Sequence, residues 1–447
     1  MSPTKPAPGR KSVAVVGAGA AGVLVAGRLL DLAARRRIPL DVVLIGPGEP
    51  GHGVAYGTRA PEHLLNVPAG KLGATTDDPA GFARWTGGPP GEFVAREHFG
   101  AYLAGYLRAV ARHSEPGRLW RVREEVARIR RRSPGLSLES GSGVRFAAAA
   151  VLAIGAGSPG VRWAPDSLRA GGRFVADPWV PGALEDIPPA EDVLLVGTGL
   201  TMVDMALTLD RPGRVLHAVS RHGLLPRPHA AAPVPPVALP GTADDLASLR
   251  LLVRDHLGKC LRETRDWRPA VDGIRPRTAE LWQRLSAADR RRFLAEDHAY
   301  WEVLRHRMPP SSAAGLARIR RAGRLTVSRG EVLAAEGGEV ALTGGRVRVG
   351  AVVNCTGPDP DAKRNPLVAR LVADGLAAPG PLGIGLATAP DGRLRPTNAP
   401  LWTLGAPRKG DLWETTAIPE IRRAADDLAR SLVADVISVD DGEGRPA

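Results

Sequence analysis

The sequence has two cysteines, Cys260 and Cys355, and neither belongs to a CxxC pair. That spacing excludes a disulfide framework and a dithiol redox centre. Cys355 stands in an apolar run, where a thiol packs as a small hydrophobe. Long hydrophobic runs are also missing. The longest, such as Phe146 to Ile154, fall far short of the ~18–20 apolar residues a membrane helix requires, so no membrane partner is expected. Met1 to Lys11 is polar and proline-rich and lacks the apolar core of a signal peptide, which makes a cytoplasmic location the expectation. Lysine is scarce: six of the 60 basic residues are lysine and the rest arginine. The net charge of +13 has no nucleic-acid motif beside it. An arginine-biased composition with sites for anionic cofactors accounts for it, and no nucleic-acid partner is expected. The densest basic stretch, Arg118 to Arg132, includes Glu124 and Glu125 and reads as a solvated face. No metal site is expected.

What is present is globular. The 447 residues suggest two or three domains at ~150 residues each. Apolar content of 44% suffices for a large core, and the 53 glycines and 41 prolines are spread without period.

Ser12 to Leu30 reads SVAVVGAGAAGVLVAGRLL. The apolar run Val13 to Val16 is a buried parallel strand. Gly17, Gly19 and Gly22 follow at GxGxxG spacing, and a helical pattern follows them. One glycine makes the tight turn, one lets the backbone approach a pyrophosphate, and one packs helix on strand. The helix start adds free N–H groups and a positive dipole end. Gly17, Ala18, Gly19, Ala20, Ala21 and Gly22 are therefore the expected phosphate contacts. The second strand, Asp41 to Ile45, should end in an acid that binds ribose hydroxyls, but Gly46 stands there. Glu49, in the loop beyond, is the nearest acid that could reach in.

Asp192 to Leu209, DVLLVGTGLTMVDMALTL, repeats the pattern with Val193 to Val196, Gly197 and Gly199, and Met202 replaces the third glycine. Gly197, Thr198, Gly199, Leu200 and Thr201 form its expected phosphate loop. The strand Val215 to Val219 ends in Ser220 and Arg221 where an NAD site would carry an acid. That pair suits a 2′-phosphate, although a surface arginine after a strand looks the same.

Two such units imply two dinucleotides, and the usual chemistry is hydride transfer from a nicotinamide to a bound flavin. Apolar strands followed by glycine turns at Val151 to Gly157 and Ala351 to Gly357 mark the crossovers, bringing in Gly155 and Gly357. The expected organisation is an α/β chain with two Rossmann-type dinucleotide-binding domains. An FAD domain of residues 12–165 and 355–440 is split around a nicotinamide domain, 166–354. The latter carries a helical insert at about 243–316. Near the C-terminus, Leu401 to Leu404 is a strand ending at Gly405. Thr415, Thr416, Ala417, Ile418, Pro419 and Glu420 then open a helix. That helix either directs its N-terminus at a flavin pyrimidine through Thr416 and Ile418, or simply docks.

Taken together, GHGVAYGT (Gly51 to Thr58), HLLNVPAGKLGA (His63 to Ala74), DPAGFARW (Asp78 to Trp85), REHFGAYL (Arg96 to Leu103) and DPW (Asp177 to Trp179) are specific. So are GTGLTMVD (Gly197 to Asp204), SRHGLLPRPH (Ser220 to His229), YWEVLRHRMPP (Tyr300 to Pro310) and LWETTAIPEIR (Leu412 to Arg422). With them the chain, from about residue 12 to about 430, resembles a bacterial family of FAD/NAD(P)-binding proteins. That family includes an FAD-dependent urate hydroxylase and nitrosuccinate synthases, which oxidise the amino group of aspartate. The layout is also similar to ornithine N-hydroxylases, but the Baeyer–Villiger fingerprint FxGxxxHxxx is absent. The resemblance implies that Gly17, Gly19 and Gly22 hold the FAD pyrophosphate and that Arg96 lies near the FAD phosphates. It also implies that His63, Asn66, Val67 and Pro68 run along the flavin, with Asn66 at the ring edge; loop capping is the competing reading of His63 and Asn66.

The resemblance further implies a monooxygenase. NADPH, or NADH, would reduce FAD, and molecular oxygen would then reach a small polar or anionic substrate through a flavin hydroperoxide. Arg305, His306 and Arg307, in a tryptophan-rich stretch with Arg268 and Arg275, are candidate substrate contacts or helix-packing ion pairs. No catalytic acid or base is named. The rival classes are an oxidoreductase that passes electrons to a quinone or protein acceptor, and a dinucleotide-sensing flavoprotein without turnover.

Overall fold

A computed structural model describes residues 10–232 and 234–438. Two compact units divide the chain: residues up to 59, 67–157 and from 360 onward form unit 1, and residues 60–66 and 158–359 form unit 2.

Unit 1 begins with β1 (Lys11–Val16), α1 (Ala20–Arg36) and β2 (Leu40–Ile45), followed by α2 (Arg96–Arg112), β3 (Arg118–Val122) and β4 (Ala149–Leu152). Val13, Val15 and Val16 of β1 are all buried, as expected of a central parallel strand covered on both faces. The chain then builds unit 2 from β5 (Phe174–Val175), β6 (Val193–Val196), α3 (Leu200–Leu209) and β7 (Leu216–Ser220). A helical stretch follows, with α4 (Leu246–Thr264), α5 (Arg268–Ile274), α6 (Ala287–Glu296), α7 (His298–Arg305) and α8 (Pro310–Arg321). Strands β8 (Leu325–Arg329) and β9 (Ala351–Asn354) close unit 2; β10 (Leu401–Thr403) and α9 (Ile418–Ser438) return to unit 1.

The sheet of unit 1 has the order β10-β4-β1-β2-β3 and that of unit 2 the order β8-β7-β6-β9-β5, parallel throughout. In each, the strand that runs into the glycine turn lies centrally (β1 beside β2 and β4, β6 beside β7 and β9), so its C-terminal end opens where neighbouring connections diverge. Gly27 lets α1 approach α2: a Cβ there would stand 2.6 Å from the Tyr106 ring. An Arg28–Asp426 ion pair ties α1 to α9. In unit 2, Met202 is fully buried among Val193, Leu195, Val353 and Cys355, so the helix carries a side chain where unit 1 has Gly22.

Each unit also has a three-stranded antiparallel sheet: Val126–Arg131, Leu136–Ser140 and Gly143–Ala147 in unit 1, and Val332–Glu336, Glu339–Leu342 and Gly345–Arg348 in unit 2. The basic stretch Arg118 to Arg132 spans two strands, and Arg118, Arg123, Arg131 and Arg132 are exposed on them or beside them, as a solvated face requires. Val122, Val126 and Ile129 point into the core between the arginines. No helix among the described residues is long and apolar enough to cross a membrane.

Candidate dinucleotide sites

The β1–α1 turn of unit 1 is shaped by two glycines that the protein itself requires and one that it does not. Gly17 has φ +111°, and a Cβ there would lie 2.2 Å from the Ala153 carbonyl oxygen. At Gly22 a Cβ would meet the Gly17 carbonyl oxygen at 1.8 Å. Gly19 differs. Its φ of −69° suits any residue, and the nearest atom to an added Cβ is the Gly53 Cα at 3.8 Å. Nothing among the described residues forbids a Cβ at Gly19, which is the pattern expected where a group from outside must approach the backbone. Gly19 is also the N-cap of α1 and offers no side-chain cap, and the first turn holds no acid. The amide N–H groups at Ala20, Ala21 and Gly22 precede the first helical bond, from Val23 to the Gly19 carbonyl. Such an end favours an anion. Ala18 is buried and its carbonyl accepts from the Gly51 amide, which lays the GHGVAYGT segment along the turn. Arg96 opens α2 near the same segment: burial pushes the Tyr56 phenol up to about 12, and the Arg96 charge opposes that rise.

Beyond β2, a Cβ on Gly46 would stand 2.8 Å from the Ala18 amide nitrogen, so no acid fits there. Arg121 of β3 grips this corner instead, donating to the carbonyls of Leu44, Gly46 and Val122 at 2.7–3.1 Å and to that of Gly48. Glu49 is exposed and pairs with Arg123 at 2.7 Å. Elsewhere in unit 1, Gly155 (φ +69°) and Gly405 (φ +74°) take left-handed conformations, and a Cβ on Gly405 would meet only the Thr415 carbonyl, at 3.9 Å. Ile418 is buried and opens α9, whereas Thr416 is exposed. Thr415 is 6% exposed and its hydroxyl has no partner among the described residues. An orphaned buried hydroxyl ahead of a helix start fits a polar ligand edge. The sequence signature Thr-Thr-x-x-Pro-Glu pointed to this turn but not to which threonine turns inward.

Unit 2 repeats the first cradle. Gly197 has φ +104°, and a Cβ there would lie 2.4 Å from the Cys355 carbonyl oxygen. Gly199 has an ordinary φ of −80°, nothing within 4 Å of an added Cβ, and no side-chain cap for α3. Leu200 and Thr201, both half-buried, form the first turn, and no acid precedes the Val203-to-Gly199 bond. Thr198 Oγ1 donates to the Leu224 carbonyl and lies 2.8 Å from Ser220 Oγ, which in turn accepts from the Gly223 amide. Ser220 is therefore occupied in its own turn. Arg221 is exposed at the end of β7, and strand register sets Arg329 of β8 opposite Ser220, with its Nε donating to the Arg221 carbonyl at 3.1 Å. Arg329 was not foreseen. Fully buried Asn354 donates to the Gly160 and Ala176 carbonyls, both at 3.0 Å, and accepts from Thr356; Gly357 follows with φ +84° and open space. Cys355 is buried, and burial pushes its thiol well up.

The segment expected to run along the flavin is divided: His63 and Asn66 belong to unit 2, Val67 and Pro68 to unit 1. His63 is buried, with its Nε2 2.8 Å from the Thr208 hydroxyl, which donates to Glu62, and its ring edge-on to Trp179. His229 Nε2 donates to the Asn66 carbonyl at 3.0 Å. Arg305 and Arg307 are buried, and Arg307 pairs with Asp272. His306 lies 3.5 Å from Glu302. Burial works against the Glu302 carboxylate, but His306 and His298 hold it well below its ordinary range.

Residues 14–157 match the model of a family described as FAD-NAD(P)-binding. No curated protein matches the chain. Among solved structures, ornithine hydroxylase from Pseudomonas aeruginosa is 18% identical with a TM-score of 0.58, over 95% of this chain and 98% of that one. L-Lysine 6-monooxygenase from Pseudomonas syringae is 16% identical with a TM-score of 0.61, over 95% and 99%. Thioredoxin reductase from Lactococcus lactis is 14% identical with a TM-score of 0.51, over 96% and 99%. At such identities the likeness is one of architecture: the chain has the α/β fold seen in FAD/NAD(P)-binding flavoproteins that carry two dinucleotide-binding domains.

Proposed function

We propose that the chain is an FAD-dependent, NAD(P)H-consuming monooxygenase acting on a small polar or anionic substrate. The observation that carries this reading is the pair of cradles, each with a glycine, Gly19 or Gly199, where the described residues leave room for a group from outside to approach the backbone. FAD in unit 1 would lie with its pyrophosphate on Gly17, Gly19 and the first turn of α1, and Thr415 would meet a polar edge. The nicotinamide dinucleotide in unit 2 would lie on Gly197, Gly199 and the first turn of α3, with Arg221 and Arg329 beside the ribose. Bound flavin supplies two-electron reduction and reaction with oxygen, and the protein contributes binding, orientation and exclusion of water. The net reaction consumes NAD(P)H, a proton and O₂, places one oxygen atom on the substrate and releases the other as water.

Oxygen chemistry is favoured over thiol chemistry because both cysteines are buried, far apart in sequence and outside any CxxC pair. The solved structures of similar fold include hydroxylases of ornithine and lysine, and the sequence resemblance points to urate and aspartate. These four compounds are the substrates to test first. With ¹⁸O₂, the product should gain one labelled oxygen per NADPH oxidised. NADPH oxidation that runs anaerobically with a quinone and leaves every substrate unlabelled would instead indicate an electron-transfer oxidoreductase. A flavin-loaded protein that oxidises no NADPH would indicate a sensor.

A further inference from the structure

Three sequence motifs that the cradles leave unexplained meet inside unit 2. Met308 donates its amide to the Arg227 carbonyl and accepts from the His229 amide, both at 3.0 Å, and the His229 ring reaches the Asn66 carbonyl. YWEVLRHRMPP, SRHGLLPRPH and HLLNVP are thereby joined. Arg307, next to this junction, is 4% exposed. Its Nη2 donates to Asp272, but its Nε–H is buried without an acceptor among the described residues. A guanidinium presents its donors as a planar fork matched to a carboxylate, and a buried charged donor without an acceptor is costly. Trp267 lies alongside, its ring centroid 5.9 Å from the Arg307 Cζ and 4.9 Å from the Arg268 Cζ. Arg268 is fixed at two points: Nη1 donates to Asp266 at 2.9 Å and Nε to the Pro228 carbonyl at 3.0 Å. Positive charge gathers here: Arg307 pairs with Asp272 and Arg268 with Asp266, and buried Arg305 lies close to Arg307. Burial depresses the Arg307 pKa, and although Asp272 opposes this, nearby Arg305 and Arg268 add to the depression.

We propose that Arg307 and Arg268, around the Trp267 ring, form the binding site for a carboxylate of the substrate, which makes the substrate class a small carboxylate. The assignment rests on the monooxygenase reading for what happens to the bound molecule, but not for binding itself. Asp272 is the internal carboxylate already on the Arg307 fork, and an incoming carboxylate adds to it at the Nε edge.

The test uses oxidised, FAD-loaded full-length protein without NADPH, titrated calorimetrically with L-aspartate and with succinate at fixed ionic strength, with chloride as the control anion. Both carboxylates should bind and chloride should not. Arg307→Lys keeps a cation for Asp272 but loses the fork, and should weaken binding by about tenfold or more. Arg268→Lys, at a less buried position, should weaken it in the same direction. Asp272→Asn removes the competing charge and should tighten binding, which a purely structural Arg307–Asp272 pair would not do. Flavin occupancy should match the wild type in all three, which shows that each variant folds. Failure of both carboxylates to bind the wild type, or unaltered binding in Arg307→Lys, would overturn the assignment. Binding through these arginines without oxygen insertion would overturn the monooxygenase reading alone.

Discussion

The Ser220 hydroxyl is engaged by Thr198 and Gly223, which leaves Arg221 and Arg329 as the groups at the end of β7 able to meet a 2′-phosphate. A charge-assisted contact of this kind contributes about 1.5–3 kcal/mol, so NADPH should be preferred over NADH by roughly ten- to a hundredfold in kcat/KM. Arg221→Ala and Arg329→Ala should each erode that preference by raising KM for NADPH while leaving NADH kinetics alone. Equal kcat/KM for the two cofactors in the wild type would remove the assignment. Arg221 was legible because it directly follows the second strand of its unit. Arg329 was not, because only the pairing of β7 with β8 sets it opposite Ser220. The same holds for Thr415 and Thr416: the helix-start signature includes both, and tertiary burial decides which one faces inward.

At the scale of elements, α3 ends on Asp210, a carboxylate placed where a helix dipole disfavours one. Arg324 compensates with a two-point grip, Nε to Oδ1 at 2.7 Å and Nη2 to Oδ2 at 3.1 Å, and Arg318 adds a third contact at 3.1 Å. Hydrogen bonds from Arg324, then Arg318, hold the Asp210 pKa below its ordinary value, against the effect of burial. A depressed carboxylate pKa means the folded state prefers the ionised form. Its stabilisation is therefore complete above the unfolded pKa, near 3.9, and fades as pH falls through the lower folded value. Asp210→Asn should cost about 1 kcal/mol at pH 7, since the arginines are partly solvated, and nothing at a pH below both pKa values. Thermal unfolding across that range checks it; an equal loss at both ends would mean the contribution is packing. The strand–turn–helix elements were readable because burial on both faces makes β1 and β6 continuous apolar runs. The small antiparallel sheets were not, because their strands are short and their inward residues, such as Val126 and Ile129, are interleaved with arginine. The attachment of residues 60–66 to unit 2 was equally hidden, since it depends on the contacts of His63 with Thr208 and Asn66 with His229.

For the whole molecule, the proposed chemistry requires both cradles in one chain, and the two can be disabled separately. A Cβ added at Gly19 or at Gly199 meets no atom of the described residues closer than 3.8 Å, and φ there is acceptable, so either valine variant should fold. Each places a branched side chain where a pyrophosphate would otherwise approach the backbone. Gly19→Val should purify without the yellow flavin spectrum and should oxidise no NADPH. Gly199→Val should retain flavin at wild-type occupancy and be bleached by dithionite, yet resist reduction by NADPH. Valine at Gly17 or Gly22 is a different perturbation: it collides with the Ala153 or Gly17 carbonyl and should lower thermal stability as well as flavin content. The pattern across the four positions separates ligand approach from backbone architecture. If Gly199→Val were reduced by NADPH at the wild-type rate, unit 2 would not hold the nicotinamide and electrons would have to enter by another route. If Gly19→Val kept its flavin, the β1–α1 turn would not be the pyrophosphate cradle. Both cysteines are buried and unpaired, so the proposed route from nicotinamide to oxygen calls on no thiol, and a Cys260→Ser, Cys355→Ala protein that folds should show the same response to each glycine variant.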